Sequence, residues 1–227
     1  MTRGQSDQLF AAAASCPPAG QIVEIGSFQG RSTVVLALAA PADARVVAID
    51  PHAGNDRGPQ EISGYADAAN ADHDAFNANL AAAGVADRVT HIREFSDKAL
   101  PIVQGTVDVL YIDGAHRYGP ARADIASWGA RVAPGGTMLI HDSFSSIGVT
   151  LAILRELAFG SKFRYVGRSR SQTVYVADLD GQRAMNALRQ FAQLPWFIKN
   201  VLLKVALFVG LGKVLRRFGQ PVPDWPY

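Results

Sequence analysis

The segment VEIGSFQGRST, residues 23–33, decides the fold predicted for this chain. The apolar run at residues 21–25 has the length of a buried strand, and the Val-, Leu- and Ala-rich run from Ser32 onward indicates a helix. Two glycines bracket the tight loop between them. A strand, a glycine turn and a helix N-terminus form a ligand-binding corner, because glycine lets the backbone approach a ligand and the first helical N–H groups face it.

The spacing of the two glycines indicates which ligand this corner binds. Gly26 and Gly30 form G-x-x-x-G rather than G-x-G-x-x-G, and Glu24 precedes the first of them. A carboxylate is a poor neighbour for a pyrophosphate and a good one for a ligand that carries an amine. The corner therefore predicts S-adenosylmethionine and argues against a dinucleotide.

The composition is that of an ordinary globular protein. The 227 residues are 48% apolar and 19% charged, which allows one large α/β domain with a well-buried core. A net charge of +2 is too small to indicate nucleic acid as the main partner. The single cysteine, Cys16, excludes an internal disulfide and a cysteine-cluster metal site. Residues 1–8 lack the pattern of a signal peptide, so we expect a cytoplasmic protein.

Strand-like and helical segments alternate through residues 21–140, which predicts a Rossmann-like, doubly wound, mostly parallel sheet with right-handed crossovers. Residues 163–166 and 173–176 alternate around a turn and predict an antiparallel hairpin that closes a seven-stranded sheet. Acidic residues end four of the parallel strands: Glu24, Asp50, Asp113 and Asp142. Because the carboxyl ends of parallel strands meet at one sheet edge, we expect these acids to form one site.

Three local features are predicted from residue spacing. Residues 6–15 indicate a helix with Leu9 and Phe10 on its apolar side. Residues 51–70 have no sustained period and form a candidate lid over the ligand site. The Pro-Gly-Gly sequence at residues 134–136 indicates a turn before the fifth strand.

These motifs resemble, in their order along the chain, a class I S-adenosylmethionine-dependent methyltransferase. The pattern E-x-G-x-x-x-G, the strand that ends in Asp50, and the strand at residues 107–113 followed by Pro-Gly-Gly all match that family. The segments VEIGS, GRST, IDGAHRY and IHD, which begin at residues 23, 30, 112 and 140, are similar to a bacterial subgroup. It includes macrocin-type sugar O-methyltransferases and cephalosporin-hydroxylase-like proteins, and the resemblance covers residues 21–176.

The resemblance implies a set of cofactor-binding residues. Glu24, Gly26 and Gly30 are expected around the methionine portion of S-adenosylmethionine, although the glycines also fit an ordinary tight turn. Asp50 is expected to accept hydrogen bonds from both ribose hydroxyls. Ser96 is expected near the adenine, although a serine there also fits a helix N-cap. The complete expected set is Glu24, Gly26, Ser27, Gly30, Ser32, Asp50, His52, Ser96 and Asp113.

The resemblance also implies a divalent cation, Mg²⁺ or another, beside the cofactor. Asp113 and the pair His141-Asp142 stand where members of the subgroup hold one. Mg²⁺ prefers oxygen ligands, so the two aspartates suit it better than His141 does. Macrolide-type relatives carry a second aspartate where this chain has Ala115. That departure removes one candidate ligand or base and leaves metal dependence open.

A hydroxyl acceptor must lose its proton as it attacks the methyl sulfonium, and histidine is the usual base near neutral pH. His116 and His141 both follow acidic strand ends, so both are candidate bases. A cation would lower the pKa of the acceptor hydroxyl, whereas without one catalysis would rest on alignment of nucleophile, methyl and sulfur. His52 fits either a lid residue that touches the cofactor or a solvated loop residue, and Asp124 is expected at the surface.

Residues 181–227 differ in character from the methyltransferase domain predicted at residues 1–180. Lys199 and Lys204 interrupt an apolar segment at residues 194–210, whose longest uncharged run is much shorter than the ~20 residues needed to cross a bilayer. We therefore predict an apolar and basic helical tail that does not span a membrane. Three hypotheses remain: an arm of a homodimer, a peripheral segment at the inner face of the membrane, or a groove for a lipid-bearing acceptor.

Together these features predict an S-adenosylmethionine-dependent O-methyltransferase that acts on a hydroxyl of a sugar, glycan or glycolipid. A catechol-type enzyme, whose cation binds two adjacent oxygens of an aromatic ring, or another small-molecule O-methyltransferase is the alternative within enzymes. A non-catalytic scaffold protein that binds the cofactor is the alternative outside them, and the intact acids and histidines argue against it. A Rossmann dehydrogenase is disfavoured by the glycine spacing.

Overall fold

The computed structural model describes residues 1–53 and 65–210, and seven strands within these ranges form one sheet. The strands are β1 (Gln21–Ile25), β2 (Arg45–Ile49), β3 (Val89–Ile92), β4 (Val107–Ile112), β5 (Val132–Ile140), β6 (Arg164–Ser169) and β7 (Gln172–Val176). The α-helices are α1 (Arg3–Ala14), α2 (Arg31–Ala39), α3 (Tyr65–Ala82), α4 (Ser96–Ala99), α5 (Tyr118–Ala130), α6 (Ile147–Leu157), α7 (Arg183–Phe191) and α8 (Leu194–Phe208).

The strand order is β3-β2-β1-β4-β5-β7-β6. Strands β1 to β5 pair in parallel, and β7 runs antiparallel between β5 and β6. This order confirms the predicted Rossmann-like, doubly wound sheet with a closing antiparallel hairpin. The hairpin turn is tighter than expected, because Ser169 pairs with Gln172 and only two residues lie between the strands.

Apolar side chains cover both faces of the sheet, as parallel strands require. All five residues of β1 are buried, and its alternate residues belong to two separate clusters. One cluster includes Trp128 of α5 and Val149 of α6. The other includes Leu36 of α2 and Phe76 of α3. The helices therefore form a layer on each face, and the carboxyl ends of β1 to β5 are left for a site.

The Pro-Gly-Gly sequence at residues 134–136 lies inside β5, so the predicted turn there is wrong. The strand accommodates it through a shift of register opposite Val107 and Val109, and Gly135 has φ 79°. A glycine in the left-handed region costs little, which is why the strand can continue through an irregularity of this kind.

Two helix predictions also need correction. Helix α3 begins at Tyr65, within the segment expected to be loop, and residues 54–64 of the candidate lid lie outside the described residues. On α1, Leu9 is fully buried but Phe10 is 54% exposed. The apolar side of α1 therefore faces the core through Leu9, while the ring of Phe10 projects toward solvent.

Helix α7 lies in the predicted tail but is fixed to the sheet domain. Asn186 accepts a hydrogen bond from the N–H of Tyr165 at 2.8 Å and donates one to the carbonyl of Phe163 at 3.1 Å. Gln190 is fully buried and donates to the carbonyl of Leu157 at 3.1 Å. These amide contacts join α7 to the start of β6 and to the end of α6.

The segment Arg183–Phe208 is 26 residues long and contains a window of mean hydropathy 1.3, so by length and composition alone it could cross a membrane. The uncharged run within this segment is shorter than the window, which is why the sequence predicted no membrane span. Helix α7 is nevertheless held against the sheet. Helix α8 alone has 15 residues, or about 22 Å, which is shorter than a hydrocarbon core of ~30 Å.

Candidate active site

Both glycines of the corner are required by the chain itself. Gly26 has φ 86°, and a Cβ atom there would lie 2.3 Å from the carbonyl oxygen of Asp113. The turns that follow β1 and β4 therefore cross too closely for any other residue. Gly30 has φ 81°, and its Cβ would lie 3.0 Å from the ring of Phe76. The tight-turn explanation holds for both positions, and Gly26 also faces the cavity described below.

Asp50 is held after the end of β2 by two backbone N–H groups. Its Oδ2 accepts the N–H of Phe28 at 2.8 Å, and its Oδ1 accepts the N–H of His52 at 2.8 Å. Phe28 and His52 each have φ 45°, in the left-handed region that large side chains rarely adopt. Such strained positions persist where the surrounding structure enforces them, and they are common at functional sites. Here they fix the orientation of one carboxylate.

A cavity of about 820 Å³ opens at the carboxyl ends of β1, β2 and β4, and α4 and α5 form its other walls. Its volume is typical of a site for a cofactor-sized ligand. Five of the expected site residues line it: Gly26, Asp50, Ser96, Asp113 and His116. The remaining expected cofactor residues are not among the described residues that line it: Glu24, Ser27, Gly30, Ser32 and His52.

Glu24 does not take the place expected of it. The side chain is fully buried, and its two oxygens accept hydrogen bonds from the hydroxyls of Ser32 and Thr33 in the first turn of α2. Burial raises the pKa of Glu24 to about 7, although these hydrogen bonds oppose the shift. Glu24 and Ser32 therefore join β1 to α2, and the buried carboxylate does not line the cavity.

His52 is neither solvated nor a lining residue of the cavity. It is 4% exposed, and its ring centroid lies 4.9 Å from that of His73 and 5.1 Å from that of His91. Phe76 packs against the same ring. Burial lowers the pKa of His52 below its ordinary value and lowers that of His91 to about 4. His52 and His91 therefore pack as uncharged rings next to Asp50.

Ser96 lines the cavity at the start of α4 and donates a hydrogen bond to Oδ1 of Asp124. Phe95 occupies the N-cap position of α4, so the N-cap explanation of Ser96 is wrong. Asp124 was expected at the surface, but it is 5% exposed and also lines the cavity. Burial raises the pKa of Asp124 to about 6. A buried carboxyl in a cavity wall is a candidate recognition group for a polar ligand atom.

The ends of β4 and β5 bring four predicted residues into one acid–histidine cluster: Asp113, His116, His141 and Asp142. His141 Nδ1 lies 3.1 Å from Oδ1 of Asp113 and 3.5 Å from Oδ1 of Asp142. His116 Nε2 forms a hydrogen bond with Oδ2 of Asp142. The hydroxyl of Tyr111 donates to Oδ2 of Asp113 at 3.0 Å. Asp113 and His116 also line the cavity, so the cluster forms part of its wall.

The charges of the cluster favour a cation between its carboxylates. Burial lowers the pKa of His141, but hydrogen bonds and charges from Asp113 and Asp142 outweigh it and raise the pKa to about 10. Burial also acts to raise the pKa of Asp142, but hydrogen bonds from His116 and His141 hold it below its ordinary value. The two carboxylates therefore favour a proton on Nδ1 of His141, the ring nitrogen that faces them.

The same residues fit a divalent cation. One donor atom each from Asp113, His141 and Asp142 lies within 4.8 Å of the others. Two carboxylates suit a hard cation such as Mg²⁺, and an imidazole adds a ligand that first-row transition ions accept. A metal ligand must be deprotonated, so such a cation would bind in exchange for the proton of His141.

Two residues outside the predicted motifs support the cluster. Gln5 of α1 places its side-chain nitrogen 3.3 Å from Nε2 of His141. Gly148 lies in the first turn of α6, where a Cβ atom would be 2.2 Å from the carbonyl oxygen of His116. Spacing gave no signal for Gln5. Gly148 could have been noticed from sequence, because a glycine inside a predicted helix is less favourable than alanine and indicates a close contact.

A family model described as a methyltransferase domain matches residues 23–143, from the strand before the glycine corner to the end of the acid–histidine cluster. The match covers more than half of the chain. The chain belongs to this methyltransferase family. The cavity at the strand ends is therefore the candidate active site of a methyltransferase, and the acid–histidine cluster lies within the matched region.

Solved structures of similar fold support the architecture of this methyltransferase. The O-methyltransferase NovP is 16% identical with a TM-score of 0.63, and the match covers 77% of this chain and 80% of NovP. TomG of Streptomyces achromogenes, solved with SAM, is 17% identical with a TM-score of 0.55 over 79% and 82% of the two chains. An O-methyltransferase of Bacillus cereus, solved with SAH, is 18% identical with a TM-score of 0.52 over 78% and 82%. At these identities the likeness shows the fold.

Proposed function

We propose that this methyltransferase transfers a methyl group from S-adenosylmethionine to a hydroxyl of a sugar, glycan or glycolipid. The observation that carries the proposal is the acid–histidine cluster in the wall of the cavity. It combines histidines, either of which can serve as the base toward a hydroxyl, with carboxylates that orient them. The SAM and SAH bound in TomG and the Bacillus cereus enzyme support the same donor here.

The cavity offers a place for each part of the donor. Asp50 is expected to bind the ribose, because each of its oxygens accepts one backbone N–H and has capacity for a further hydrogen bond. The pair Ser96 and Asp124 is expected to face the adenine. Gly26 and Asp113 lie at the crossing of the β1 and β4 turns, where the methionine portion would sit next to the cluster.

His116 is the favoured base. It lines the cavity and is oriented by its hydrogen bond to Asp142, whereas His141 does not line the cavity and its Nδ1 faces Asp113 and Asp142. In the proposed step the acceptor oxygen forms a bond to the methyl carbon as the carbon–sulfur bond breaks. The hydroxyl proton passes to the imidazole of His116, and S-adenosylhomocysteine leaves. Asp142 stabilises the imidazolium that results.

Asp113, His141 and Asp142 would hold the divalent cation if one is used. Bound there, it would act as a Lewis acid that lowers the pKa of the acceptor hydroxyl. The carboxylates and His116 orient the acceptor oxygen with or without it.

Replacement of each histidine tests the base. We expect His116→Gln to lower kcat by about 10²- to 10⁴-fold with little change in S-adenosylmethionine affinity. Asp50→Ala serves as the contrasting variant, because it should weaken cofactor binding instead. Transfer is measured with radiolabelled donor on sugars, glycolipids and catechols, and cofactor affinity by calorimetry. Full activity in both His116→Gln and His141→Gln would refute the base, and a catechol as the preferred acceptor would support the alternative enzyme.

A further inference from the structure

Helix α8 packs one face on the domain and exposes an apolar stripe on the other. Trp196 and Phe197 are partly buried against the core. The opposite side of the helix carries large apolar side chains that lie three or four residues apart and are more than half exposed: Ile198 at 55%, Leu202 at 63%, Val205 at 53% and Val209, just after the helix, at 60%. We call these four residues the α8 stripe. Phe208, beside it, is 88% exposed.

A lysine lies beside the α8 stripe. With 3.6 residues per turn, Lys199 falls on one flank of the stripe, whereas Lys204 lies toward the domain. Lysine side chains beside an apolar surface can extend so that the ammonium reaches lipid phosphates while the methylenes stay in the apolar layer. This distribution is typical of a helix that lies in the plane of a membrane interface.

The segment of the sequence that contains α8 carries charge of a single sign. Residues 181–223 contain no acidic residue and seven basic ones: Arg183, Arg189, Lys199, Lys204, Lys213, Arg216 and Arg217. The chain as a whole has a net charge of only +2, so the positive charge is concentrated in this segment. An interface between two copies of the segment would bring like charges together, whereas an anionic lipid surface complements them.

The same helix holds the loop that follows the acid–histidine cluster. Asn200 donates a hydrogen bond to the carbonyl of Phe144 at 3.0 Å, and Lys204 donates one to the carbonyl of Ser145 at 3.2 Å. Phe144 is fully buried with φ 53°, a position that needs support from its surroundings. A surface that binds α8 is therefore connected directly to the residues after Asp142.

We propose that the α8 stripe docks on the surface of an anionic phospholipid bilayer. The apolar side chains enter the headgroup layer, and Lys199 beside them contacts lipid phosphates. This docking rests on the proposed hydroxyl methylation and assigns the acceptor to molecules that are themselves lipid-borne. The reason is that the helix that docks through one face holds the loop after Asp142 with its other face. Glycolipids are the matching member of the proposed acceptor class.

The docking is tested with vesicles and does not depend on catalysis. The full-length protein is sedimented with vesicles of phosphatidylcholine alone and of phosphatidylcholine mixed with phosphatidylglycerol. We expect binding to the mixed vesicles that weakens with added salt. Leu202→Glu should weaken it roughly tenfold through lost apolar contact, and Lys199→Gln about fivefold. Leu38→Glu is the matched control, because Leu38 is a leucine that is 59% exposed on α2.

Two results would overturn the docking. One is the absence of binding to either kind of vesicle, and the other is equal binding by Leu202→Glu and Leu38→Glu. A dimer that light scattering shows to dissociate in Leu202→Glu, without vesicle binding, would identify a second copy of the chain as the occupant. Vesicle binding without methyl transfer to any hydroxyl would refute the proposed function and leave the docking intact. Cofactor affinity in each variant reports correct folding.

Discussion

The side-chain nitrogen of Gln5 lies 3.3 Å from Nε2 of His141, although 136 positions separate the two residues. The orientation of the amide follows from its other end, because Oε1 of Gln5 accepts the N–H of Thr2 at 2.7 Å. Gln5 is 3% exposed. The first helix of the chain therefore supports the acid–histidine cluster from the side away from Asp113 and Asp142, which contact the other ring nitrogen.

Replacement of Gln5 by leucine is expected to lower kcat about tenfold while leaving S-adenosylmethionine affinity nearly unchanged. The ring of His141 loses a partner at Nε2, and a small displacement of catalytic groups has large effects on rate. Phe10→Ala, on the exposed side of the same helix, is the control. Steady-state kinetics measures kcat, and calorimetry measures the affinity for S-adenosylmethionine. A parallel loss of rate and cofactor affinity would indicate general damage to the fold instead of a positioning role.

Divalent cation binding should strengthen as the pH rises from 6 to 9. The pKa of His141 is raised to about 10, so over this range the cation competes with a proton whose occupancy falls as the pH increases. Thermal shifts with Mg²⁺ and Mn²⁺ after dialysis against a chelator measure the effect. Asp142→Asn should remove most of it, whereas Asp97→Asn, at an exposed carboxylate outside the cluster, should not. A shift that does not change with pH would argue against His141 as a ligand.

Gly148→Ala is expected to destabilise the protein by about 1–3 kcal/mol, because the new methyl group overlaps the backbone of residues 116–118. Gly119→Ala is the matched control. It also lies in the first turn of a helix, but its Cβ would meet nothing within 4 Å among the described residues. Alanine there should be neutral or stabilise by up to ~1 kcal/mol. Urea unfolding of both variants gives the comparison, and equal stabilities would contradict the close contact.

Asp124→Asn should raise stability at pH 7.5 by about 1–2 kcal/mol and weaken S-adenosylmethionine binding. The pKa of Asp124 is about 6 in the folded protein and 3.8 in the unfolded chain, so the free energy of unfolding falls as the pH rises from 3.8 to 6 and stays lower above pH 6. Below pH 3.8 the carboxyl is neutral in both states and the gain should vanish. Asp7→Asn, at an exposed position on α1, is the control. Unchanged stability at pH 7.5 would show that the carboxylate is better solvated than its burial indicates.

The convergence of the acid–histidine cluster followed from sequence, because an acid at the end of a parallel strand has one possible edge to occupy. Once the strands were assigned, the positions of Asp113 and Asp142 could be predicted. His116 and His141 lie close to these acids in the chain and were therefore predicted at the same edge. The Rossmann-like sheet followed from the alternation of strands and helices, and its closing hairpin followed from two alternating segments around a turn. Roles in binding and catalysis remain predictions for these residues.

The residues that could not be predicted lie on helices, where the direction of a side chain depends on tertiary packing. The sequence predicts that Asp124 is solvated, because only the packing of α5 against α4 brings its carboxyl within hydrogen-bond distance of Ser96. Glu24 ends a strand as expected, yet two hydroxyls from α2 occupy its oxygens. Local spacing also cannot show that β5 continues through Pro-Gly-Gly, since the partner strand supplies the pairing that tolerates the shift of register.

The attachment of α7 sets a lower limit to the length of chain that can fold. The composition changes near residue 180, but a protein cut there would leave the N–H of Tyr165 and the carbonyls of Phe163 and Leu157 without their amide partners. Each buried backbone group without a partner costs roughly 1–3 kcal/mol, and the total approaches the stability of a whole domain. A catalytic fragment therefore has to retain α7, although the change of composition near residue 180 precedes it.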